Sequence, residues 1–153
     1  MPSKKPSRQT LVIGADHAGF ALKEQLKKIL SKKYRIIDEG NTTLDPHDDY
    51  PDYAARVAKR IIKHREFGIL ICGSAQGICI AANKFLHIRA VAVNTQRDAK
   101  LAREHNDANI LCLSGWNLTA KKAKDLIETF VTTPFSNEER HIRRLTKIAL
   151  FEK

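Results

Sequence analysis

Short apolar runs alternate with amphipathic stretches along the chain. Thr10 to Ala15, TLVIGA, is an apolar run of strand length, and Asp16-His17-Ala18-Gly19 follows it as a turn. Leu22, Leu26, Ile29 and Leu30 then recur at helical spacing. Tyr34 to Asp38 reads as a second strand. Glu39 to Asp52, polar and carrying Gly40, Asn41, Pro46 and Pro51, reads as a loop. Ala54, Val57, Ala58, Ile61 and Ile62 mark an amphipathic helix. Phe67 to Cys72, FGILIC, is a third strand, far too short to span a bilayer. It turns at Gly73-Ser74-Ala75-Gln76-Gly77 and resumes with Ile78, Ile80, Ala81 and Ala82, which suit a helix packed closely on a sheet. Ile88 to Val93 predicts a fourth strand, about Thr95 to Glu104 a helix, and Asn109 to Leu113 a fifth strand. Leu118 to Val131 is helical until Thr133-Pro134 breaks it. Ser136 with Glu139 is a capping-box signal for a last helix carrying Ile142, Leu145 and Ala149.

Strands that alternate with helices predict an α/β fold: a three-layer, Rossmann-like sandwich with a five-stranded parallel sheet and helices on both faces. There is no internal repeat or low-complexity tract. Residues 10–153 read as one domain, and 1–9 as a flexible basic tail. In such sheets ligands gather at the carboxyl ends of strands, where the strand order reverses. That singles out Asp16 and His17, Cys72 to Gly77, Asn94 and Thr95, and Ser114 to Trp116.

Composition narrows the partners. With 27 Lys and Arg against 17 Asp and Glu, the formal net charge is +10, which favours anions such as phosphorylated metabolites, nucleic acid or a membrane surface. Lys4, Lys5 and Arg8 in the tail account for part of the excess. The tail has no apolar core of a signal peptide, and no stretch is long enough for a membrane span. Cys72, Cys79 and Cys112 lack metal-type spacing and occur in apolar surroundings, as reduced thiols of a cytoplasmic protein do.

A strand, a glycine-bounded turn and a helix start form a cradle of backbone N–H groups with partial positive charge from the helix. Cys72 stands at its entrance. A thiol there can become a thiolate base, since a free cysteine titrates near ~8.5 and a helix N-terminus lowers that value. The alternative is a buried cysteine packing as a small hydrophobe; the adjoining turn favours the base. Cys79 and Cys112 have no such turn and read as core. Gly73 to Gly77 matches neither GxxxxGK[ST] nor GxGxxG, so it is either a generic oxyanion nest or a tight turn without a ligand. Ser74 adds a hydroxyl. Asp16-His17 suits proton transfer to hydroxyls, although an N-cap Asp beside a solvent-facing His is the commoner pattern. His105, ahead of the fifth strand, suits ring-opening acid–base work or is surface decoration. Arg140 and Arg144, four residues apart, form either a phosphate clamp or a solvated basic face. No zinc-finger, RRM or KH signature accompanies the basic cluster.

Together these segments resemble the family of type B ribose-5-phosphate isomerases and the related galactose- and allose-6-phosphate isomerases. The matching pieces are GADHAGF, DYPDYA, ILICGSAQGICIAANK, IRAVAV, REHNDANIL and RHIRR, in order over nearly the whole chain after the tail. The resemblance implies an aldose–ketose isomerase that interconverts ribose 5-phosphate and ribulose 5-phosphate, a step of the pentose phosphate pathway, with no cofactor and no metal. It implies Cys72 as the base that moves a proton between C1 and C2 through an enediolate. Gly73, Ser74, Ala75, Gln76 and Gly77 would hold the oxyanion, and His105 would open the furanose ring. Asp16, His17, Tyr50 and Asn106 would contact the sugar, and Arg140 and Arg144 the phosphate. It further implies a homodimer with a shared site, alone or paired into a tetramer, and no nucleic-acid or membrane partner. A hexose 6-phosphate isomerase is the alternative within the class, and a non-catalytic nucleotide- or nucleic-acid-binding module the rival outside it. Two residues depart from the family pattern. Ala75 stands where a glycine is usual, which brings strain if that position needs a positive φ. Trp116 stands where some members carry a phosphate-binding arginine.

Overall fold

In the computed structural model, which describes residues 7–152, five strands form one parallel sheet: β1 (Thr10–Ala15), β2 (Arg35–Asp38), β3 (Phe67–Cys72), β4 (Ala90–Ala92) and β5 (Ile110–Ser114), in the order β2-β1-β3-β5-β4. The helices are α1 (Phe20–Leu30), α2 (Tyr50–His64), α3 (Gln76–Ala82), α4 (Gln96–Asn106), α5 (Ala120–Thr132) and α6 (Glu139–Ala149). The three-layer, Rossmann-like α/β architecture read from the alternation of elements is the one observed. Residues 1–6 of the expected tail lie outside the described residues.

Alternation along each strand divides the core in two. Leu11, Ile13, Ile69, Ile71, Leu111 and Leu113 pack on one face against Leu22 and Leu26 of α1, Ala99 of α4, and Leu126 and Phe130 of α5. Val12, Leu70, Ile110 and Cys112 pack on the other against Val57 and Ile61 of α2 and Ile78 and Ala82 of α3. A Cβ on Gly14 or on Gly68 would come within 2.9 Å of a Val57 methyl, so the bare strand backbone lets α2 lie close to the sheet. No helix among the described residues is long and apolar enough to cross a membrane.

Element ends differ from the sequence expectation in three informative places. β4 keeps only three residues of the run Ile88 to Val93, because Ile88 N–H donates to the Phe85 carbonyl (3.2 Å) and Arg89 N–H to the Asn109 side chain (2.8 Å) instead of to a ladder. The fourth helix runs on to Asn106, which puts His105 and Asn106 in a helical turn rather than a loop. The capping-box reading of Ser136 fails: Glu138 is the N-cap, and the Ser136 hydroxyl pairs with His141 Nδ1 at 2.7 Å.

One buried cation ties the β2 edge to the loop that follows it. Lys23 of α1 is fully buried, and its ammonium donates to Asp38 Oδ2 (2.6 Å), Glu24 Oε1 (2.8 Å) and the Asn41 carbonyl (2.8 Å). Lys27 reaches the same Asp38 oxygen at 2.7 Å. Burial works against ionisation of Asp38, but the two lysines prevail and hold its pKa below the usual value. Replacing Lys23 by Met would leave Asp38 half-compensated and the Asn41 carbonyl unpaired. Lys23→Met should therefore lower unfolding free energy by about 3 kcal/mol in urea denaturation.

Candidate active site

Parallel alignment brings the carboxyl ends of β1, β3 and β5 to one edge of the sheet. The chain leaves β1 for β2 on one side and returns to β3 on the other, so the reversal of strand order falls between β1 and β3. The turns there interlock. Asp16 N–H donates to the Ile71 carbonyl (3.3 Å), Gly115 N–H to the Cys72 carbonyl (2.8 Å) and Trp116 N–H to the Gly73 carbonyl (3.3 Å). The buried Ser114 hydroxyl also donates to the Gly73 carbonyl, at 2.6 Å. A Cβ on Gly19 would meet the Ile71 oxygen at 2.5 Å, and one on Gly115 the Ala18 oxygen at 2.5 Å.

The cradle after β3 inverts the usual division of labour between glycine and alanine. Ala75 carries the positive φ, 69° with ψ −8°, while no described glycine has a positive φ. Gly73 and Gly77 are bare for another reason: aromatic rings lie where their side chains would be. A Cβ on Gly73 would be 2.5 Å from Cζ2 of Trp116, and one on Gly77 2.5 Å from Cζ of Tyr50. The turn is thus flanked by two rings, with Trp116 74% exposed. The amides of Ser74 and Ala75 have no hydrogen-bond acceptor among the described residues, and the opening amides of α3 lack intrahelical partners by construction. Ser74 and Gln76 are exposed, and Gln76 N–H donates to Ser74 Oγ (3.3 Å). Cys72 is 4% exposed and packs with Ala75, Ile78 and Cys112. Two cavities, about 530 and 610 Å³, lie elsewhere, and Cys72 lines neither.

Beside this cradle, Asp16 is buried and accepts the Gly19 N–H at 3.1 Å; burial raises its pKa. His17 is half-exposed, with ring Nδ1 2.8 Å from Asp48 Oδ1 and backbone N–H 2.9 Å from the same oxygen. The hydrogen bond to Asp48 raises the His17 pKa. Ligand atoms of Asp16, His17 and Asp48 lie within 4.8 Å of one another, close enough for a metal ion. His17 Nδ1 and Asp16 Oδ1 are already engaged, however, so the grouping reads as a hydrogen-bonded network. Asp48 was not among the candidates read from the sequence, whereas Ser114 was singled out at the end of β5. Asp48 lies 31 residues from its histidine, inside a polar loop, where no local signal marks it.

A second group forms at the opposite edge. α4 runs antiparallel to the strands, so its last turn carries His105 and Asn106 to the amino ends of β4 and β5. There the Asn106 carbonyl accepts Arg89 Nε at 3.0 Å, one residue before β4. The His105 ring stacks on His141 with centroids 4.2 Å apart. Burial, then the neighbouring His105, pushes the His141 pKa down. Arg140 and Arg144 are exposed on α6, with Arg140 Nε on Glu138 Oε2 at 2.7 Å. Within one chain the structure brings together Asp16, His17, Tyr50 and Cys72 to Gly77, and separately His105, Asn106, Arg140 and Arg144. It does not bring the two groups together.

The family model described as Ribose/Galactose Isomerase matches residues 11–148. Among similar proteins, ribose-5-phosphate isomerase B of Mycobacterium leprae is 37% identical over 149 residues, covering 96% of this chain and 92% of its own. A ribose 5-phosphate isomerase structure from Thermotoga maritima aligns with a TM-score of 0.88 at 42% identity, covering 93% of this chain and 98% of that one. The Mycoplasma genitalium ribose-5-phosphate isomerase B, solved with bound ribulose-5-phosphate, aligns with a TM-score of 0.89 at 37% identity, covering 95% and 97%.

The left-handed alanine gives the cradle a measurable strain. Ala75→Gly should raise unfolding free energy by about 1 kcal/mol, the αL penalty less the greater freedom of glycine in the unfolded chain. Equilibrium denaturation of the two proteins measures it.

Proposed function

The chain belongs to the Ribose/Galactose Isomerase family, and we propose that it interconverts ribose 5-phosphate and ribulose 5-phosphate by proton transfer at Cys72. The observation that carries the reading is the position of this one thiol. It closes β3 at the reversal of strand order, with Asp16 and His17 on the neighbouring turn and unpartnered amides just beyond it. In the forward direction the Cys72 thiolate takes the proton from C2 of the open-chain aldose. The electron pair forms the C1=C2 bond, and the carbonyl oxygen O1 becomes an oxyanion facing the amides of residues 73–77. The sulfur returns its proton to C1, the O2 proton passes to O1, and the ketose results. Asp16, His17 and Tyr50 hold the sugar hydroxyls.

Ring opening by His105, sugar contact by Asn106 and phosphate binding by Arg140 and Arg144 require a second subunit. A six-residue strand separates the two edges of the sheet by roughly 20 Å, well beyond the span of a pentose phosphate. A homodimer that apposes the amino edge of one subunit to the carboxyl edge of the other joins them. α6 supports such a partner: its apolar Ile142 and Ile148 are 47% and 46% exposed, and His141 is its one buried residue. Ile80 on α3 is 63% exposed as well. A partner lying over these surfaces also forms the outer wall that the cradle lacks in one chain.

Incubation with ribose 5-phosphate in deuterated water tests the reaction. Ketose should form, and Cys72→Ala should abolish turnover with an unchanged circular dichroism spectrum and melting temperature. A Cys72→Ala protein that turns over at the parental rate would remove the sulfur from the mechanism. Sharing of the site has its own test. Cys72→Ala and His105→Ala, each inactive, should recover about one quarter of parental activity when unfolded together and refolded, because half the dimers are mixed and each holds one intact site. No recovery despite mixed-dimer formation would place both residues in one subunit's site.

A further inference from the structure

We propose that Asp48 is a positioning residue that fixes the ring orientation and tautomer of His17 for contact with an anionic sugar substrate. The inference rests on the sugar-contacting role of His17 given above, and goes beyond it by naming what governs that residue.

The loop between β2 and α2 spans residues 39–49, longer than most αβ and βα connections. Its length carries Asp48 over the carboxyl end of β1. There a single carboxylate oxygen receives both the backbone N–H and the ring Nδ1 of His17 (2.9 and 2.8 Å). The other oxygen accepts Asn41 Nδ2 at 3.4 Å, and Tyr53 of α2 lies beside the carboxylate. Asn41 is itself anchored through its carbonyl to buried Lys23. The Asp48 side chain is 6% exposed and the His17 side chain 44%. A nearly buried carboxylate, gripped by donors from the turn after β1 and from its own loop, therefore presents a half-exposed imidazole.

The geometry dictates the chemistry. A carboxylate only accepts, so the neutral imidazole must carry its proton on Nδ1, leaving the Nε2 lone pair as the ring's other hydrogen-bonding group. When the ring protonates, Nε2–H becomes a cationic donor to a substrate oxygen while Nδ1–H stays on Asp48. The groups facing the ring are Asp16 on its own turn and Asp48 on the loop. From α2, Tyr53 contacts the carboxylate, and Arg56 lies 5.3 Å from the Tyr53 ring centroid; Asp45 of the loop also acts on Tyr53. Burial, then the neighbouring Asp48 carboxylate, pushes the Tyr53 pKa up to about 12, so the phenol adds no charge beside the ring. Both carboxylates favour the imidazolium, and loss of the Asp48 charge should move the His17 midpoint down.

Nitrogen-15 NMR of the imidazole in the free protein tests this without reference to turnover. Wild type should show the Nδ1–H tautomer and an upshifted midpoint. In Asp48→Asn the midpoint should fall and the tautomers should mix. Kinetically, Asp48→Asn should lower kcat/KM roughly tenfold, with the loss smallest below the lowered midpoint, where both proteins carry the imidazolium, and greatest above it. In a His17→Ala background the same substitution should cost nothing further. A His17 tautomer and midpoint unchanged in folded Asp48→Asn, or an undiminished kinetic cost without His17, overturns the assignment. Absence of isomerase activity in the wild type would instead overturn the functional reading and leave the NMR result intact.

Discussion

The ladder of parallel hydrogen bonds joining β1, β3 and β5 is the constraint on which the site depends. It sets Ala15 beside Ile71 and Cys72 beside Ser114, so the next residue of each strand emerges at the same height. Three turns then begin side by side, and their first polar groups pair across the gaps rather than with water. A slip of one residue in β3 would turn Cys72 to the opposite face of the sheet and break the contacts of Asp16 and Gly115 with β3. The chemistry at this edge is thus a consequence of register, fixed by apolar side chains far from the sulfur.

Steric and conformational demands on the turn after β3 are met by different residues. Gly73 and Gly77 are small because rings occupy the adjacent space, whereas the one backbone position that glycine would relax is given to Ala75. The strained alanine is buried, and the contacts that hold it are those of the α2–α3 side of the core. Stiffness in the turn keeps the amides pointed at one place, which is what stabilisation of a transient negative charge needs.

β1 and β3 were legible to the residue, because a run of Ile, Leu and Val bounded by glycine and polar residues has few other uses. The candidate residues at the strand ends followed from that reading and from the general rule for parallel sheets. Asp48 was not legible, since its partner is 31 positions away and its neighbours are those of any polar loop. Ser136 misled for a physical reason: a hydroxyl near a helix start has several acceptors within reach, and here the His141 ring competes with the backbone amide. Ile142 marked the last helix in the sequence together with Leu145 and Ala149; in the structure Ile142 and Ile148 are both exposed. An apolar stripe marks a helix without saying which of its residues the sheet covers.

Trp116 is the chain's sole indole, and it rests against Gly73, next to the thiol. Ultraviolet emission from this protein therefore originates at a single address, a few bonds from where the reaction is placed. Occupancy and local opening can be followed there by intensity and colour alone, with no dye attached and no second fluorophore of its kind to subtract.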